Sequence, residues 1–521
     1  MKRENLILKE KSTIIFIENL KKERGNIMNF SEVIKENASH TYTENGARAF
    51  NTTNSRLLDL FSTIGALRTR TNDEIIRKFI AAFAEDRLLA TKMLFYAGNI
   101  RGGLGERRTF RVCLKWLANK HPEIVKKNIK LIPQFNRWDS MFELVDTGAE
   151  DAMWAYIAEV FAKDIDALTN KKKGVAPQLS LLAKWLPSEN ASSFRTKALA
   201  RKTIKKLNLT PKTYRKILSA LRAELKIVEG LMSSNNWDQI TYSAVPSYAM
   251  KNYRNAFSSH DEKRFSEYIE SLKRGETKIN AATLFPYDII HAYTDCSRGW
   301  SFTPKEYDEI LEQQWKSLPN YVDEGSNVLV MADTSGSMYG RPMETSVGLA
   351  IYFAQRNKGY YHNVFMSFSG QPSYFYLNDG DTLRQSIDKV SKTPWGFNTN
   401  LSKAMETILE DAKFHKLSNE DLPKALVVIS DMEIDYCAGR SWDFVENMSS
   451  VFESSGYKMP KLIFWNVNSR KDTYLTKGAN SILVSGQSAS TFKSVLRTID
   501  LNSYEAMLEV LNDPMYDCVQ I

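Results

Sequence analysis

The segment Asp333-Thr334-Ser335-Gly336-Ser337 limits the possible folds of this chain more than any other stretch. It follows the apolar run at residues 328–332, which has the character of a buried parallel strand entering a tight turn. In open α/β sheets, the carboxyl ends of the strands carry the ligand-binding crevices. The segment therefore predicts an α/β sheet with one carboxylate and two hydroxyls at its binding edge. Oxygen ligands of this kind suit Mg2+ or another divalent cation.

Two further polar residues stand at comparable positions downstream. Thr399 precedes a helical pattern at residues 401–412, and Asp431 follows the apolar strand predicted at residues 425–430. The resulting set resembles the metal-ion-dependent adhesion site of von Willebrand factor A domains and comprises Asp333, Ser335, Ser337, Thr399 and Asp431. The resemblance implies that Asp333 anchors the cation and that the two serine hydroxyls coordinate it. It further implies that Thr399 ligates the cation in a ligand-bound form, while Asp431 holds waters.

The metal interpretation has an alternative and one departure from the pattern. In a degenerate A domain, the same groups would only hydrogen-bond the amides at the strand ends. Asp431 is followed by Met432 and Glu433, where A domains commonly have glycine, so this loop is expected to be shaped differently. Glu433 and Asp435 add negative charge there, which would either favour a cation or repel an acidic partner.

The pattern of apolar residues changes after residues 318–320. A chain of 521 residues exceeds one core, so two domains are expected. Residues 28–320 have helical spacing throughout, with a HEAT-like array possible, whereas strands and helices alternate over residues 321–521. The predicted fold class is therefore α plus α/β: an all-helical region, then a doubly wound, mainly parallel, von Willebrand factor A-like sheet. Residues 1–27 are expected to be a disordered extension, or to precede the true initiator Met28.

The boundaries of the elements follow from the same spacing. Helices are predicted at residues 54–67, 73–89, 106–117, 152–161, 177–185, 192–207, 211–229, 261–273 and 304–315 in the helical region. In the α/β region, strands are predicted at residues 327–332, 363–368, 425–430, 461–467 and 481–485.

Positive charge is concentrated in the helical region. Residues 325–521 carry 18 Lys and Arg against 22 Asp and Glu, whereas residues 1–324 carry 52 against 39. Within residues 195–226, 11 basic residues accompany a single acid, Glu224. Such a concentration favours a polyanionic partner, with nucleic acid as the first candidate. The alternative is a solvated helix pair whose charges only maintain solubility.

The glycine-rich segment at residues 101–108 contains three further arginines. Glycines that let amides approach, the start of the next helix and the arginines together would suit a phosphate. The alternative is a corner between helices. The candidate nucleic-acid-binding residues are Arg101, Arg107, Arg108, Lys171, Lys172, Lys173, Arg195, Lys197, Arg201, Lys202, Lys205, Lys206, Lys212, Arg215 and Lys216.

Several classes of protein receive no support from the sequence. No window approaches the roughly 20 apolar residues of a membrane span, and no membrane partner is expected. The four cysteines are far apart without metal or disulfide spacing, which is typical of the reducing cytoplasm. No catalytic constellation stands out, so the chain is predicted not to be an enzyme.

Motifs along most of the chain resemble the domain-of-unknown-function family 2828 of phages, bacteria and plants. They include residues 42–47, 101–107, 183–188 and 242–247 in the helical region, and the strand-end segments around Asp333, Thr399 and Asp431. The combination of helices with an A domain is similar to the Ro ribonucleoprotein family, in which a ring of helical repeats binds structured RNAs and RNA ends. Fold alone does not fix function.

These observations predict a cytoplasmic, non-enzymatic RNA-binding protein. Its basic helices would contact the RNA backbone, and its A domain would bind Mg2+ and a protein partner. The alternative is a Mg2+-dependent protein-interaction module that does not bind RNA.

Overall fold

The structure, a computed structural model, describes residues 38–171, 176–294, 302–322, 327–392, 398–436 and 442–521. The chain divides into a first unit, residues 1–41, and a second compact unit, residues 42–521. The predicted extension at residues 1–27 lies outside the described residues, as do the candidate RNA ligands Lys172 and Lys173. Across the described ranges, no helix combines the length and the apolarity needed to cross a membrane.

The N-terminal part of the chain is mostly helical, as predicted. Two short strands, β1 (His40–Tyr42) and β2 (Arg48–Phe50), precede the helices. The helices are α1 (Arg56–Phe61), α2 (Asn72–Glu85), α3 (Arg87–Gly98), α4 (Arg107–Lys120), α5 (Pro122–Lys127), α6 (Leu131–Phe135), α7 (Glu150–Lys171), α8 (Leu182–Trp185), α9 (Phe194–Lys206), α10 (Pro211–Glu224), α11 (Val228–Ser233), α12 (Ser247–His260), α13 (Glu262–Lys273), α14 (Pro286–Tyr293) and α15 (Glu309–Lys316).

Local capping explains where several of these helices begin. Thr71 and Glu74 form a reciprocal capping box at the start of α2, which satisfies two amides that have no partner within the helix. The Ser193 hydroxyl accepts a hydrogen bond from the Thr196 amide at the start of α9. Thr210 caps α10 in the same way, and the proline at residue 211 occupies the first turn, where no amide is needed.

The C-terminal part alternates strands and helices. Its elements are β3 (Val328–Asp333), α16 (Arg341–Arg356), β4 (Val364–Phe368), β5 (Tyr374–Tyr376), α17 (Leu383–Ser391), α18 (Leu401–Phe414), β6 (Ala425–Ser430), α19 (Phe444–Ser454), β7 (Lys461–Asn466), β8 (Ser481–Ser485), α20 (Ser490–Arg497) and α21 (Ser503–Leu511). The six strands from β3 to β8 form one sheet of order β5-β4-β3-β6-β7-β8, in which β5 runs antiparallel to β4 and the other pairs are parallel. The predicted α plus α/β class is therefore confirmed.

The strand order reverses between β3 and β6. From β3 the chain builds outward through β4 to β5, and then returns to add β6 on the other side of β3. All residues of both strands are buried, in agreement with their continuous apolar sequences. The crevice at such a reversal is the usual ligand-binding position of an open α/β sheet. Asp333 ends β3 and Asp431 follows β6, so both candidate carboxylates lie at this point.

The helices and the sheet of residues 42–521 share one hydrophobic core. Buried side chains form a continuous cluster that extends from Ala47 to Val519. Helix α16 packs on β3 on one side and on α14 on the other, which joins the sheet to the helical part. A smaller separate core lies among α11, α12, α13 and α15, with Phe257 and Phe265 among its buried members.

Candidate functional site

Asp333 is held by hydrogen bonds within the turn that follows β3. Its side chain is fully buried; Oδ1 accepts from the Ser335 amide at 2.8 Å, and Oδ2 accepts from the Ser430 hydroxyl at 2.5 Å. The chain then makes a 3₁₀ turn at Gly336–Met338, which brings the hydroxyls of Ser335 and Ser337 within 3.1 Å of each other. Three of the five predicted ligands therefore lie together at the end of one strand.

Asp431 is also buried, and one of its oxygens lacks a hydrogen-bond donor. Its Oδ1 accepts from the Glu433 amide at 3.2 Å. Within the described residues, Oδ2 receives no hydrogen bond, although Arg470 Nη2 lies 3.1 Å away. Met432, between Asp431 and Glu433 in the chain, adopts a left-handed φ of +67°, a conformation that favours glycine. Its amide donates to the Ser430 hydroxyl at 3.0 Å, so the loop keeps a glycine-like shape without a glycine.

Thr399 lies against the loop that follows Asp431. Its hydroxyl accepts from the Asp435 amide at 3.1 Å and is 3.4 Å from the Glu433 carbonyl, to which it donates. Its own amide donates to the Asp435 carboxylate at 2.6 Å. The candidate threonine is therefore buried and attached to the loop that follows β6.

The electrostatics of the site suit a cation. Burial and the charge of Asp431 together raise the pKa of Asp333 to about 7, despite the hydrogen bonds from Ser335 and Ser430. Burial likewise raises the pKa of Asp431, although Ser337, Arg470 and the Glu433 amide act in the opposite direction. A cation between these two buried carboxylates would supply positive charge that favours their ionised forms. The residues present therefore fit Mg2+.

The five candidate metal ligands comprise two carboxylates and three hydroxyls, so cation binding would depend on the hydroxyl oxygens as well. In the part of the chain that the structure describes, no three His, Cys, Asp or Glu side chains cluster as metal ligands. Arg470 is the competing positive group, because its Nη2 lies 3.1 Å from Asp431 Oδ2 and 2.8 Å from Glu44 Oε2. The guanidinium neutralises part of the negative charge at the site without contacting Asp333.

Sequence reasoning did not identify the N-terminal segment that covers this loop. Thr43 donates to the Ile434 carbonyl at 2.5 Å, and the Glu44 amide donates to the buried Glu433 carboxylate at 2.6 Å. The Asn45 side chain donates to the Glu433 carbonyl at 2.7 Å. This segment belongs to the motif at residues 42–47 that supported the family resemblance, and that motif was the available signal for its role.

The basic residues of α9 and α10 divide into paired and unpaired groups. In the paired group, Lys202 contacts Asp146 and Glu150, Lys206 contacts Asp151, and Arg215 contacts Glu189. Lys171, at the end of α7, contacts Glu224 of α10. Arg222 forms no ion pair within the described residues, but its guanidinium donates to the carbonyls of residues 183 and 186 and to the Ser188 hydroxyl. The unpaired group forms no ion pair there either and comprises Arg195, Lys197, Arg201, Lys205, Lys212 and Lys216. Phe194, at the start of α9, is 83% exposed. The unpaired group and this aromatic ring lie on the same pair of helices.

The glycine-rich segment forms a corner whose amides are largely engaged internally. The amides of Arg101 and Gly102 donate to Asn99 Oδ1, that of Gly105 donates to the Asn99 carbonyl, and those of residues 104 and 106 bind α3 carbonyls. The Arg108 guanidinium binds the Arg68 carbonyl and Asn72. Arg101 and Arg107 are exposed. An anion at this corner would therefore meet arginine side chains, since these amides already have acceptors.

A deep cleft opens beside this corner. Its volume is about 1100 Å³, and its lining includes Gly105, Arg107, Tyr248, His291 and Arg341. No single element forms the cleft: its lining comes mainly from the glycine-rich corner, α12, α14 and α16. Sequence reasoning could not identify it, because its walls come from distant segments.

Comparison with known proteins separates the chain into two matched regions. The chain is 27% identical over 512 residues to "Uncharacterized protein L728" of Acanthamoeba polyphaga mimivirus, an alignment that covers 91% of this chain and 87% of the viral protein. The C-terminal motifs were expected to continue the resemblance to family 2828, but residues 327–515 match another family, the domain of unknown function DUF7788. Residues 43–148 and 197–327 match the domain of unknown function DUF2828, so the resemblance predicted for the N-terminal part of this chain is confirmed.

Proposed function

We propose that this chain is a non-enzymatic RNA-binding protein. The unpaired group on α9 and α10 contacts the RNA backbone, and the exposed Phe194 ring stacks on a base. The observation that carries the proposal is the presence of six basic side chains on two adjacent helices for which, unlike Arg222, the structure shows neither an ion pair nor a side-chain hydrogen bond within the described residues. Cations without acidic neighbours are free to replace the counterions of a polyanion, which is the main source of nucleic-acid affinity.

The sheet part supports a second element of the same proposal. We infer that it is a von Willebrand factor A-like domain that holds Mg2+ between Asp333, Ser335 and Ser337, with Thr399 and Asp431 beside them. The strand reversal, the two buried carboxylates and the adjacent hydroxyls of Ser335 and Ser337 support this assignment. When bound, the cation would supply an open coordination position for an oxygen of a partner protein. The arrangement of helices and A domain would then be Ro-like.

Salt dependence tests the RNA contacts. For six phosphate contacts, the slope of log affinity against log salt is expected to be roughly −4 to −5. The four-site variant Arg195→Gln, Arg201→Gln, Lys205→Gln and Lys212→Gln should reduce that slope by about 3, measured with labelled single-stranded and structured RNAs. Equal slopes in the wild-type chain and the variant, or no binding at low salt, would refute the proposal.

A matched control separates local contacts from net charge. The variant Lys413→Gln, Lys416→Gln, Lys458→Gln and Lys493→Gln removes the same charge from exposed positions of the sheet part. Its salt slope should remain that of the wild-type chain. A slope reduced as much as in the α9 and α10 variant would show that only the net charge matters.

The alternative is a Mg2+-dependent protein-interaction module without RNA binding. The buried carboxylates at the strand reversal favour it, because they would serve a partner protein whether or not RNA binds. In that case Asp333→Ala would abolish Mg2+-dependent binding of a protein partner, and RNA would not bind under any salt condition.

A further inference from the structure

The cleft between the glycine-rich corner and helices α12, α14 and α16 contains chemistry that the proposed RNA surface does not use. Its lining combines four cationic residues with aromatic rings and two acids, within about 1100 Å³. This volume is in the range of small-molecule and cofactor sites. The cationic members are Arg107, Arg137, Lys305 and Arg341.

The arginines of the cleft are incompletely neutralised. Arg137 shares Asp139 with Arg111, and Arg107 forms no ion pair within the described residues. Burial and, to a smaller extent, the nearby charges of Arg137 and Arg111 lower the pKa of Arg107, whereas the nearby Asp139 acts in the opposite direction. This excess of guanidinium groups favours a phosphate, since the planar fork of arginine matches two phosphate oxygens.

Arg341 provides a further guanidinium from the first turn of α16. It binds Gln487 Oε1 at 2.5 Å and the Tyr287 hydroxyl, and its Cζ lies 4.1 Å from the centre of the Tyr287 ring. None of these partners is acidic, and no ion pair to Arg341 occurs within the described residues. These neutral partners orient the Arg341 guanidinium and leave its positive charge available to an anionic ligand.

Aromatic rings form the apolar side of the cleft. Tyr248 is 39% exposed, and its hydroxyl donates to Asp288 at 2.6 Å, which fixes the ring. Phe285 and Tyr287 lie 5.9 Å apart between ring centres. At Gly105, where φ is +64°, an added Cβ would lie 2.9 Å from the Phe285 ring, so the corner packs directly on the aromatic wall. Such a wall suits the face of a nucleobase.

His291 and Glu344 complete the lining with a hydrogen-bond acceptor. The buried Glu344 carboxylate lies 2.9 and 3.1 Å from His291 Nδ1, whereas the His291 side chain is 68% exposed. In the neutral tautomer that carries its proton on Nδ1, toward Glu344, Nε2 would be an acceptor. Within the described residues, Nε2 has no hydrogen-bond partner. A ribose hydroxyl is a donor that matches this position.

We propose that this cleft binds a phosphorylated nucleoside unit. Its phosphate lies at Arg107 and Arg341, its base lies against Tyr248, and a ribose hydroxyl donates to His291. Inorganic phosphate would leave the aromatic wall uncovered, and an apolar ligand would bury guanidinium groups without an anion. The unit comes either from a free mononucleotide or from the end of an RNA strand. The second source rests on the proposed function, whereas the first does not.

Titration calorimetry on the full chain tests the cleft with AMP, CMP, GMP and UMP as probes. At least one mononucleotide should bind, with adenosine and inorganic phosphate at least tenfold weaker. Arg107→Gln should weaken mononucleotide binding at least tenfold. Arg108→Gln is the matched control, because the neighbouring guanidinium is exposed but binds Arg68 and Asn72 instead of lining the cleft. Absence of mononucleotide binding up to 10 mM, or equal affinity in the Arg107 and Arg108 variants, would overturn the proposal.

Two further experiments distinguish a free mononucleotide from an RNA end as the ligand, and separate failure of the cleft proposal from failure of the proposed RNA surface. Displacement of the mononucleotide by a short RNA with a 5′-phosphate, but not by the same RNA with a 5′-hydroxyl, would assign the site to RNA ends. Displacement by neither RNA would assign it to free nucleotides. The four-site variant of α9 and α10 should bind mononucleotides normally, and a parallel loss there would overturn the placement in the cleft.

Discussion

At the scale of single residues, the charge of Asp333 determines how the candidate metal centre behaves without a cation. Its raised pKa of about 7 means that the folded chain holds this proton more tightly than the unfolded chain. The stability of the cation-free protein should therefore fall as pH rises from about 4 to about 7. Asp333→Asn should remove that dependence, raise the melting temperature at pH 8 in EDTA by roughly 2 °C, and abolish stabilisation by Mg2+.

Scanning calorimetry across pH, with and without Mg2+, measures this effect. Asp379→Asn is the control, because that carboxylate is 86% exposed on the same sheet part. If Asp333→Asn lowers the melting temperature in EDTA, or leaves Mg2+ stabilisation intact, then Asp333 is not a buried cation ligand.

Arg470 is the residue that would compete with a cation at the candidate metal centre. Its removal leaves Asp431 and Glu44 without their shared positive partner. Arg470→Gln should therefore destabilise the chain in EDTA by about 1 kcal/mol and strengthen Mg2+ binding five- to tenfold. Lys471→Gln serves as the control, because its amine lies 3.5 Å from Glu44 and forms no ion pair with Asp431 within the described residues. Unchanged Mg2+ affinity in Arg470→Gln, measured by calorimetry, would contradict the competition.

At the scale of elements, the segment at residues 42–47 supports the loop that carries Asp431. Thr43 both donates to the Ile434 carbonyl and accepts from the Ala47 amide at 2.8 Å, in a buried position. Thr43→Val should leave both backbone groups without partners and cost roughly 1–3 kcal/mol in the free energy of unfolding. Urea denaturation measures the loss, with Thr241→Val at an exposed position as the control. A difference within 0.5 kcal/mol of that control would show that water replaces Thr43.

The bounds of strands with continuous apolar sequences could be predicted closely. The helix ends that are set by capping hydrogen bonds in the examples below could not. β6 and β8 have the predicted bounds, because their buried residues mark both ends. The spacing at residues 73–89 predicts one helix, but Asp86 ends α2 and caps α3 through the Leu89 amide at 2.8 Å. The helix predicted at residues 177–185 forms only over Leu182–Trp185. The edge strand β5 has three residues, too few for a detectable alternation.

At the scale of the whole molecule, the sequence indicated the candidate ligands through motifs next to predicted strands and helices, but not the distant segments that pack against them. Asp333 and Asp431 follow apolar runs, and parallel pairing of β3 with β6 places both at one edge. Thr43 and Ile434 are separated by 391 positions, and neither lies in a recognisable motif for metal binding. The same limit applies to the cleft, because its lining residues come from six separate segments of the chain. Periodicity describes local structure, whereas contacts of this kind depend on how distant elements pack.

The prediction of two domains can be tested where the 3₁₀ turn Ile64–Thr69, which follows α1, contacts the end of β8. An added Cβ at Gly65 would lie 2.5 Å from Gly486 Cα, and the Gly65 amide donates to Ser485 Oγ at 3.0 Å. Both neighbours at this contact are backbone, so Gly65→Ala must separate the helical part from β8 and should cost roughly 1–3 kcal/mol. Because residues 42–521 share one core, amide protection should fall in both parts together.

Hydrogen exchange with mass spectrometry distinguishes shared from independent unfolding. Gly230→Ala is the control, since no atom lies within 4 Å of its added Cβ and the glycine is helical; it should be neutral or stabilising by up to about 1 kcal/mol. Equal loss of protection in α2 and β6 of Gly65→Ala would show that the helices and the sheet unfold as one unit. Loss confined to the helices would show two independently stable domains, and the candidate metal centre could then be studied in the sheet part alone.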